Sequence, residues 1–397
     1  MAVRFVRVLP AARRLAGCLK GMMVMMTKRQ EFIHYVKNGG ERLMCSPQIG
    51  GGAGYDTKLY GKEWNSEGRQ EYTVEVTQRY PMVPLYNVGL DPVMHCGDKL
   101  KWVQDEYTES EGKRTYKSHC DTPFGTMYRH ADERPHSGGF HVVNAINDAD
   151  DFDKLEYVID TALSSGDFSC YTRLGKEASD FYGDKGAVSV QWCMQPYEML
   201  GYPSTLTTVF LAQDDEERFI RLMDKILELD YQIIDALAPS GIDFVFLGGP
   251  GAELISPSYY EKYLVPYSKK VTDYAHERGL LIYSHICSPI EPMLSMGYYN
   301  QMGIDLFETL SPAPEGNIQS LSDALSKIDP KICTRGNVSM SLLINGTPEM
   351  VEKEVFAVMA AAKGRKHMVA ASDYLMYEVP EENVIALCSA VEKYYNK

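Results

Sequence analysis

A closed (β/α)8 TIM barrel, with an N-terminal extension and a β-hairpin excursion, is the fold class this sequence predicts. Three observations predict it. Strand-like apolar runs alternate with helical patterns from about residue 150 onward, which implies a parallel sheet. The alternation repeats without a dinucleotide-binding glycine fingerprint, which favours a closed barrel over an open sheet. The chain has 397 residues, 45% hydrophobic and 24% charged, enough to build one large barrel with an ordinary globular composition.

Taken in order, residues 1–25 read as a leader or start-site extension. They carry Arg4, Arg7, Arg13, Arg14 and Lys20 and no acid, and Met26-Thr27-Lys28 reads as a natural start. Residues 26–397 are expected to form a single barrel domain. The N-terminal third is irregular, with glycines at Gly50–Gly52 and Gly54 and a strand at Val83–Val88. Leu100–Tyr107 and Arg114–Ser118 alternate as strands around a Glu109-Ser110-Glu111-Gly112 turn, which predicts a hairpin. Ala187–Cys193 is a strand. Asp214 or Asp215 caps a helix whose Phe219, Leu222, Met223, Ile226, Leu229, Ile233 and Leu237 keep helical spacing.

Asp243–Leu247 is an apolar strand run. Ser256-Pro257 opens a helix that runs to Gly279, with a kink expected at Pro266. Leu280–Cys287 is a strand, followed by a helix over 289–298. Ile304–Thr309 and Ile332–Arg335 are strands. Thr347-Pro348 opens a helix ending before Gly364, Met368–Ala371 is a strand, and Pro380 opens the last helix. In such barrels chemistry sits where the strands end.

Charge and cysteine usage exclude several classes. Net charge is −14, against the basic footprint of a nucleic-acid binder. No apolar run reaches the length of a membrane helix. Nine cysteines, an odd number without CxxC, read as a reduced cytoplasmic protein.

His285-Ile286-Cys287 is the first chemical candidate. On a strand, i and i+2 share a side, so an imidazole and a thiolate would face the barrel mouth as half of a zinc site; the bland alternative is a buried cysteine beside a hydrogen-bonded histidine. Neighbouring strand ends offer Asp305 and Glu308, then Cys333, Arg335 and Asn337, then Ser372 and Asp373. A carboxylate from this set could complete a three-ligand metal site with one open position. Cys333 could equally be core, and Asp373 a turn acid. The loops at 49–54 and Gly248–Gly251 fit no phosphate fingerprint. His136 and His141, His95-Cys96 and His119-Cys120 read as structural, since adjacent strand residues point to opposite faces.

Several short motifs occur together in the C-terminal half. They are Leu254-Ile255-Ser256-Pro257, Tyr263-Leu264-Val265-Pro266-Tyr267, His285-Ile286-Cys287, Gly336-Asn337-Val338, Asn345-Gly346-Thr347-Pro348-Glu349 and Val379-Pro380-Glu381-Glu382-Asn383. In this order and spacing, over roughly residues 190–395, they resemble the uroporphyrinogen decarboxylase superfamily. The resemblance implies a (β/α)8 barrel with its site at the C-terminal mouth. True decarboxylases of that superfamily carry an Arg-Gln-Ala-Gly-Arg segment near the N-terminus. This chain has Met44-Cys45-Ser46-Pro47-Gln48-Ile49-Gly50 there, without the arginines a polycarboxylate substrate requires.

The other branch, the corrinoid-linked methyltransferases, is similar to this chain in the His-x-Cys strand, which in that branch supplies two zinc ligands. The third ligand there is a cysteine of a late strand, and its place falls here at Ser372 or Asp373. The resemblance therefore implies zinc on His285, Cys287 and Asp373, with Cys333 as the lesser choice. It also implies Asp305, Glu308 and Asn337 as catalytic groups, and Tyr55, Tyr86, Tyr197 and Arg335 as substrate-binding groups. A His/Cys/Asp set is a stronger Lewis acid than a sulfur-rich one, which suits polarising a methyl-ether oxygen. The implied activity is methyl transfer from a methoxylated compound, aromatic ethers included, to the Co(I) corrinoid of a partner protein. A methylcorrinoid:thiol methyltransferase, a metal-free decarboxylase and a ligand-sensing barrel are the alternatives. A homodimer is the oligomeric state that such barrels often adopt.

Overall fold

The computed structural model describes residues 26–50, 54–62, 69–110, 112–134, 138–191 and 196–396. The leader expectation for residues 1–25 lies outside them. Twelve strands occur in the described residues: β1 (Met44–Cys45), β2 (Leu85–Gly89), β3 (Val103–Ser110), β4 (Lys113–Thr122), β5 (Gly125–Arg134), β6 (Gly138–Val143), β7 (Ala187–Gln191), β8 (Phe244–Leu247), β9 (Leu281–His285), β10 (Leu306–Thr309), β11 (Cys333–Val338) and β12 (His367–Ala371). Eight form one sheet in the order β1-β12-β11-β10-β9-β8-β7-β2, with every pairing parallel. The two ends of this order meet where the Val83 N–H donates to the Cys45 carbonyl at 3.0 Å. This is the TIM-barrel architecture that the alternation of elements predicts.

The barrel interior is layered because alternate strand residues face the axis. One layer takes a residue from each of the eight strands: Met44, Leu85, Ala187, Phe244, Leu281, Leu306, Cys333 and Met368. The helix Lys28–Asn38 closes the barrel below this layer with Phe32, Tyr35 and Val36, and its Thr27–Gln30 capping box fixes where it begins. Two residues further along the strands the interior turns polar, with Ser189, Tyr283, Glu308 and Arg335 all buried. That change from oil to charge marks the mouth end as the functional one.

Outside the barrel, Glu216–Leu237 buries all seven predicted apolar positions, and Asp215 caps it by accepting the Arg218 N–H at 3.0 Å. Asp214 instead ends the preceding helix, Thr205–Asp214. Pro266 lacks the N–H that a continuous α-helix needs, and a π-helical turn over Tyr260–Leu264 precedes Val265–Glu277. Residues 291–297 form a string of turns where a helix is expected, because Pro289 and Pro292 disfavour helical backbone at the residues before them, Ser288 and Glu291. The predicted hairpin is larger than the sequence pattern suggests. β3 to β6 make a four-stranded antiparallel meander. Cys120 and Met127 are buried in its β4–β5 pair, and Arg129 lies 4.1 Å from the Trp102 ring centroid. The strand at Ala187 ends at Gln191, and Cys193 lies outside the described residues.

His367, at the start of β12, yields a stability prediction. It is fully buried and neutral: Nε2–H donates to the Gly336 carbonyl at 2.9 Å and Nδ1 accepts from the Thr334 hydroxyl at 2.9 Å. Burial pushes its pKa down to about 4. The folded state therefore binds this proton less readily than the unfolded chain, so the stability is present above pH ~6.5 and is lost as pH falls toward 4. The loss is about 3 kcal/mol over that window. In urea titrations at pH 7 and pH 4.5, His367→Gln should lose markedly less stability between the two pH values than the parent. Equal losses would contradict the assignment.

Candidate metal centre

The mouth-facing ends of β9, β10, β11 and β12 converge on one cluster. His285 is the last residue of β9, Glu308 lies beside it on β10, and Arg335 pairs with Glu308 on β11. His285 Nδ1–H donates to Glu308 Oε1 at 2.8 Å, and Arg335 Nε–H donates to Glu308 Oε2. Glu308 and Arg335 are buried at 1% exposure each, so the carboxylate has two fixed donors and no water to compete with them. Burial alone would raise the Glu308 pKa, but the Arg335 charge and the His285 hydrogen bond outweigh it and hold the carboxyl down at about 2. Glu308 thus stays ionised and fixes the ring orientation and tautomer of His285.

With Nδ1 committed, Nε2 of His285 is free to face the mouth. Asp373, two residues past β12, lies there with Oδ1 at 3.4 Å from Nε2. Its Oδ1 is itself held by the Tyr374 N–H at 2.6 Å. Cys287 lies two residues past the end of β9, not on the strand as expected, yet its sulfur still reaches the cluster. Ligand atoms of His285, Cys287 and Asp373 all lie within 4.8 Å of one another, the one such group of three among the described residues. Ligands of a tetrahedral zinc stand about 3.4–3.8 Å apart, so small side-chain shifts would close this set around an ion.

The electrostatics agree with a cation at this point. Burial works against a charged His285, but Asp373, Cys287 and Glu308 together outweigh it and hold its pKa well above the usual histidine value. A neutral imidazole, a thiolate and a carboxylate carry two negative charges, which a divalent ion would cancel, while Glu308 and Arg335 cancel each other. A histidine ligand backed by a carboxylate is the usual outer-shell arrangement of a zinc site. The residues fit zinc, with three protein ligands and one open position.

The remaining expected residues fall in several places. Asn337 is buried on β11 and donates to the Leu310 carbonyl at 3.1 Å. Arg335 lies beneath the cluster, its guanidinium 5.4 Å from the Tyr283 ring centroid, and it does not line the mouth cavity. Asp305 stands at the opposite end of β10, where it accepts from the Ile282 N–H at 2.7 Å and pairs with His276 at 2.7 Å. Cys333 sits in the floor layer, and burial pushes its thiol up to about 12. Tyr86 lines the mouth cavity, stacked on Tyr182 at 4.3 Å. Tyr55 is buried outside that cavity, and Tyr197 lines a separate hollow while donating to Glu198 at 3.0 Å. Both His95 nitrogens are taken, by Tyr171 and the Ala162 carbonyl, and His119 pairs with Asp105. His136 lies outside the described residues.

Tyr374 is a residue that the sequence reading passed over. Its ring lies 5.1 Å from that of His285, and its hydroxyl accepts from Asn87 at 3.0 Å and Gln191 at 3.1 Å. That hydroxyl also meets Tyr283 at 3.2 Å, whose own hydroxyl accepts from Gln48 at 2.7 Å. Gln48, Asn87 and Gln191 come from or follow three different strands. Position at a strand end was the one signal that could have found them.

Residues 196–394 match the uroporphyrinogen decarboxylase (URO-D) family. The chain belongs to that family. The uroporphyrinogen decarboxylase of Prochlorococcus marinus (strain NATL2A) is 25% identical over 205 residues, covering 50% of this chain and 54% of that protein. The enzyme of the same name from Gluconobacter oxydans (strain 621H) is 24% identical over 228 residues, covering 55% and 62%. The chain thus spans little more than half the length of these curated relatives. Among solved structures, a methyltransferase from Methanosarcina mazei superposes with a TM-score of 0.64 at 14% identity, over 94% of this chain and 100% of that one. This likeness shows a shared fold across nearly the whole chain, N-terminal third included. The URO-D match itself begins at Pro196, so it contains His285, Cys287, Glu308, Arg335 and Asp373 and leaves out Gln48, Asn87 and Gln191.

Proposed function

We propose that this member of the uroporphyrinogen decarboxylase family is a zinc-dependent methyltransferase. It takes the methyl group of a methoxylated compound and passes it to the Co(I) corrinoid of a partner protein. The observation that carries this reading is the convergence of His285, Cys287 and Asp373 at the barrel mouth, with His285 held from behind by Glu308. In the transfer, the bond between methyl carbon and ether oxygen breaks, the oxygen keeps the electron pair, and the carbon takes the pair of Co(I). Zinc at the open position would act as a Lewis acid on that oxygen and make it a better leaving group. The chain's own residues do the rest. Glu308 keeps the His285 ring in one tautomer and orientation, the Asp373 carboxylate is fixed by the Tyr374 amide, and the Tyr374 ring shields His285 from water.

Decarboxylation of a polycarboxylate is the second reading, favoured by the names of the curated relatives. Ser46 to Gly50 after β1 supply no arginine for such a substrate. The two readings separate in one assay. Chemically reduced cobalamin and 2-methoxyphenol are mixed with the purified chain, and the cobalamin spectrum is followed. The expected result is methylcobalamin formation that a chelator stops and added zinc restores. Turnover that survives complete removal of metal, or decarboxylation of a polycarboxylate without metal, would contradict the proposal.

A further inference from the structure

A cavity of about 230 Å³ opens at the mouth, and its wall includes Tyr374, whose ring lies 5.1 Å from that of His285. It is smaller than the roughly 300–1,000 Å³ of sites for drug-sized ligands, and suits one substituted ring. Residues from both faces of β2 line it. Leu85, Asn87 and Gly89 stand on the axis side, as alternation from Leu85 requires, and Tyr86 stands on the other. Gly89 is the last residue of β2 and pairs with Gln191 of β7, whose amide donates to the Tyr374 hydroxyl at 3.1 Å. It is thus one strand away from the tyrosine beside His285. Its backbone has no need of a glycine, because its φ lies outside the left-handed region. Its neighbours have no need of one either: a Cβ added there meets no heavy atom within 4 Å. Gly186, at the other end of the neighbouring strand, shows the opposite case, since a Cβ there would lie 2.5 Å from the Pro84 carbonyl oxygen. What the missing side chain at 89 does is leave room at the cavity wall.

We infer that Gly89 is a specificity-determining residue: it sets how large a group the mouth admits, and the room it leaves takes the ring of an aryl methyl ether. The inference rests on the methyl-transfer reading in taking the occupant to be the methyl donor, but it concerns binding alone. Ile49, Leu85 and the stacked Tyr86–Tyr182 pair give the wall the carbon surface that such a ring would cover. A side chain at 89 would take up the same room from the wall inward. β2 carries none of the metal ligands, so the change would act on the organic group and leave the zinc site as it is.

The test is calorimetric titration of the full chain at pH 7 with 2-methoxyphenol, for the parent, Gly89→Ala and Gly89→Leu. The parent should bind the probe. Gly89→Leu should weaken it by about tenfold or more, the order by which carbon added to or removed from a pocket discriminates between ligands. Gly89→Ala should weaken it less, in the same direction. Zinc content should match the parent in both variants, and the urea midpoint of Gly89→Ala should match it too, because the added atom enters open space. If Gly89→Leu fails to fold, the alanine variant decides: weaker binding at unchanged stability supports the inference, and unchanged binding overturns it. A destabilised Gly89→Ala would mark the glycine as structural and overturn it as well. So would a folded Gly89→Leu that binds the probe as tightly as the parent, or a parent that does not bind it. The two claims fail separately. Graded loss of binding without any methyl transfer by the parent leaves the assignment of Gly89 standing and removes the methyltransferase. Methyl transfer from 2-methoxyphenol that Gly89→Leu carries out as well as the parent does the reverse.

Discussion

Arg335→Leu should destabilise the protein by about 3–5 kcal/mol, a large share of the stability of a typical domain. Both members of the Arg335–Glu308 pair are 1% exposed, so removing the cation leaves a carboxylate in the barrel interior with His285 as its one remaining donor among the described residues. The cost arises from that unpaired charge and not from the worth of the pair itself, because desolvation cancels most of what a buried ion pair gains. Two guanidinium nitrogens of Arg335, Nη1 and Nη2, have no hydrogen-bond partner among the described residues, which makes the pair an expensive one to keep for stability alone. Its retention makes sense if its task is to hold Glu308 ionised behind His285. The double variant Arg335→Leu/Glu308→Gln should therefore recover much of the lost stability, since a glutamine can still accept the His285 Nδ1–H without carrying charge. Urea denaturation of the parent, single and double variants measures this. A loss below about 1 kcal/mol in the single variant would contradict the account.

The ends of the parallel strands were legible in the sequence for a physical reason. Barrel strands are buried on both faces, and a continuous apolar run that gives way to polar residues marks the mouth: Ser284-His285 after Leu281–Tyr283, and Ser372-Asp373 after Met368–Ala371. Asp305 shows how the same reasoning goes astray. It stands three residues before Glu308, and strand alternation places residues an odd number apart on opposite sides, so both could not face the axis. It also precedes β10, which puts it at the floor end. Cys333 and Arg335 do share a side, but Cys333 is two residues nearer the floor, and its neighbours there are Met368 and Leu306.

Of the cavity wall, Tyr86 was legible in the sequence, and most of the rest was not. Gln48, Asn87, Gln191 and Tyr374 are separated by tens to hundreds of residues, and an amide at a strand end carries no motif. Barrel closure brings them together, and closure is a property of the sheet order, which local periodicity does not encode. The meander β3–β6 was half visible for a related reason. β3 and β4 alternate cleanly, whereas β5 and β6 hold Gly125, Gly138 and Gly139, which read as loop.

His285, Cys287 and Asp373 are proposed to hold one divalent metal ion. Its effect on removal should be the largest of all, because without a ligand set the proposed chemistry has no Lewis acid. Loss of the Cys287 thiolate removes one of three protein ligands and leaves a two-ligand site, which should not retain zinc through purification. The most direct measurement is elemental analysis of the freshly purified full chain and of Cys287→Ala, each with a circular-dichroism spectrum to establish folding. About one zinc per parent chain and essentially none in the folded variant is the predicted result. A parent chain that takes up no metal even after incubation with zinc, or a Cys287→Ala variant that binds it as well as the parent, would contradict the account and leave His285 and Cys287 as polar lining of the barrel mouth.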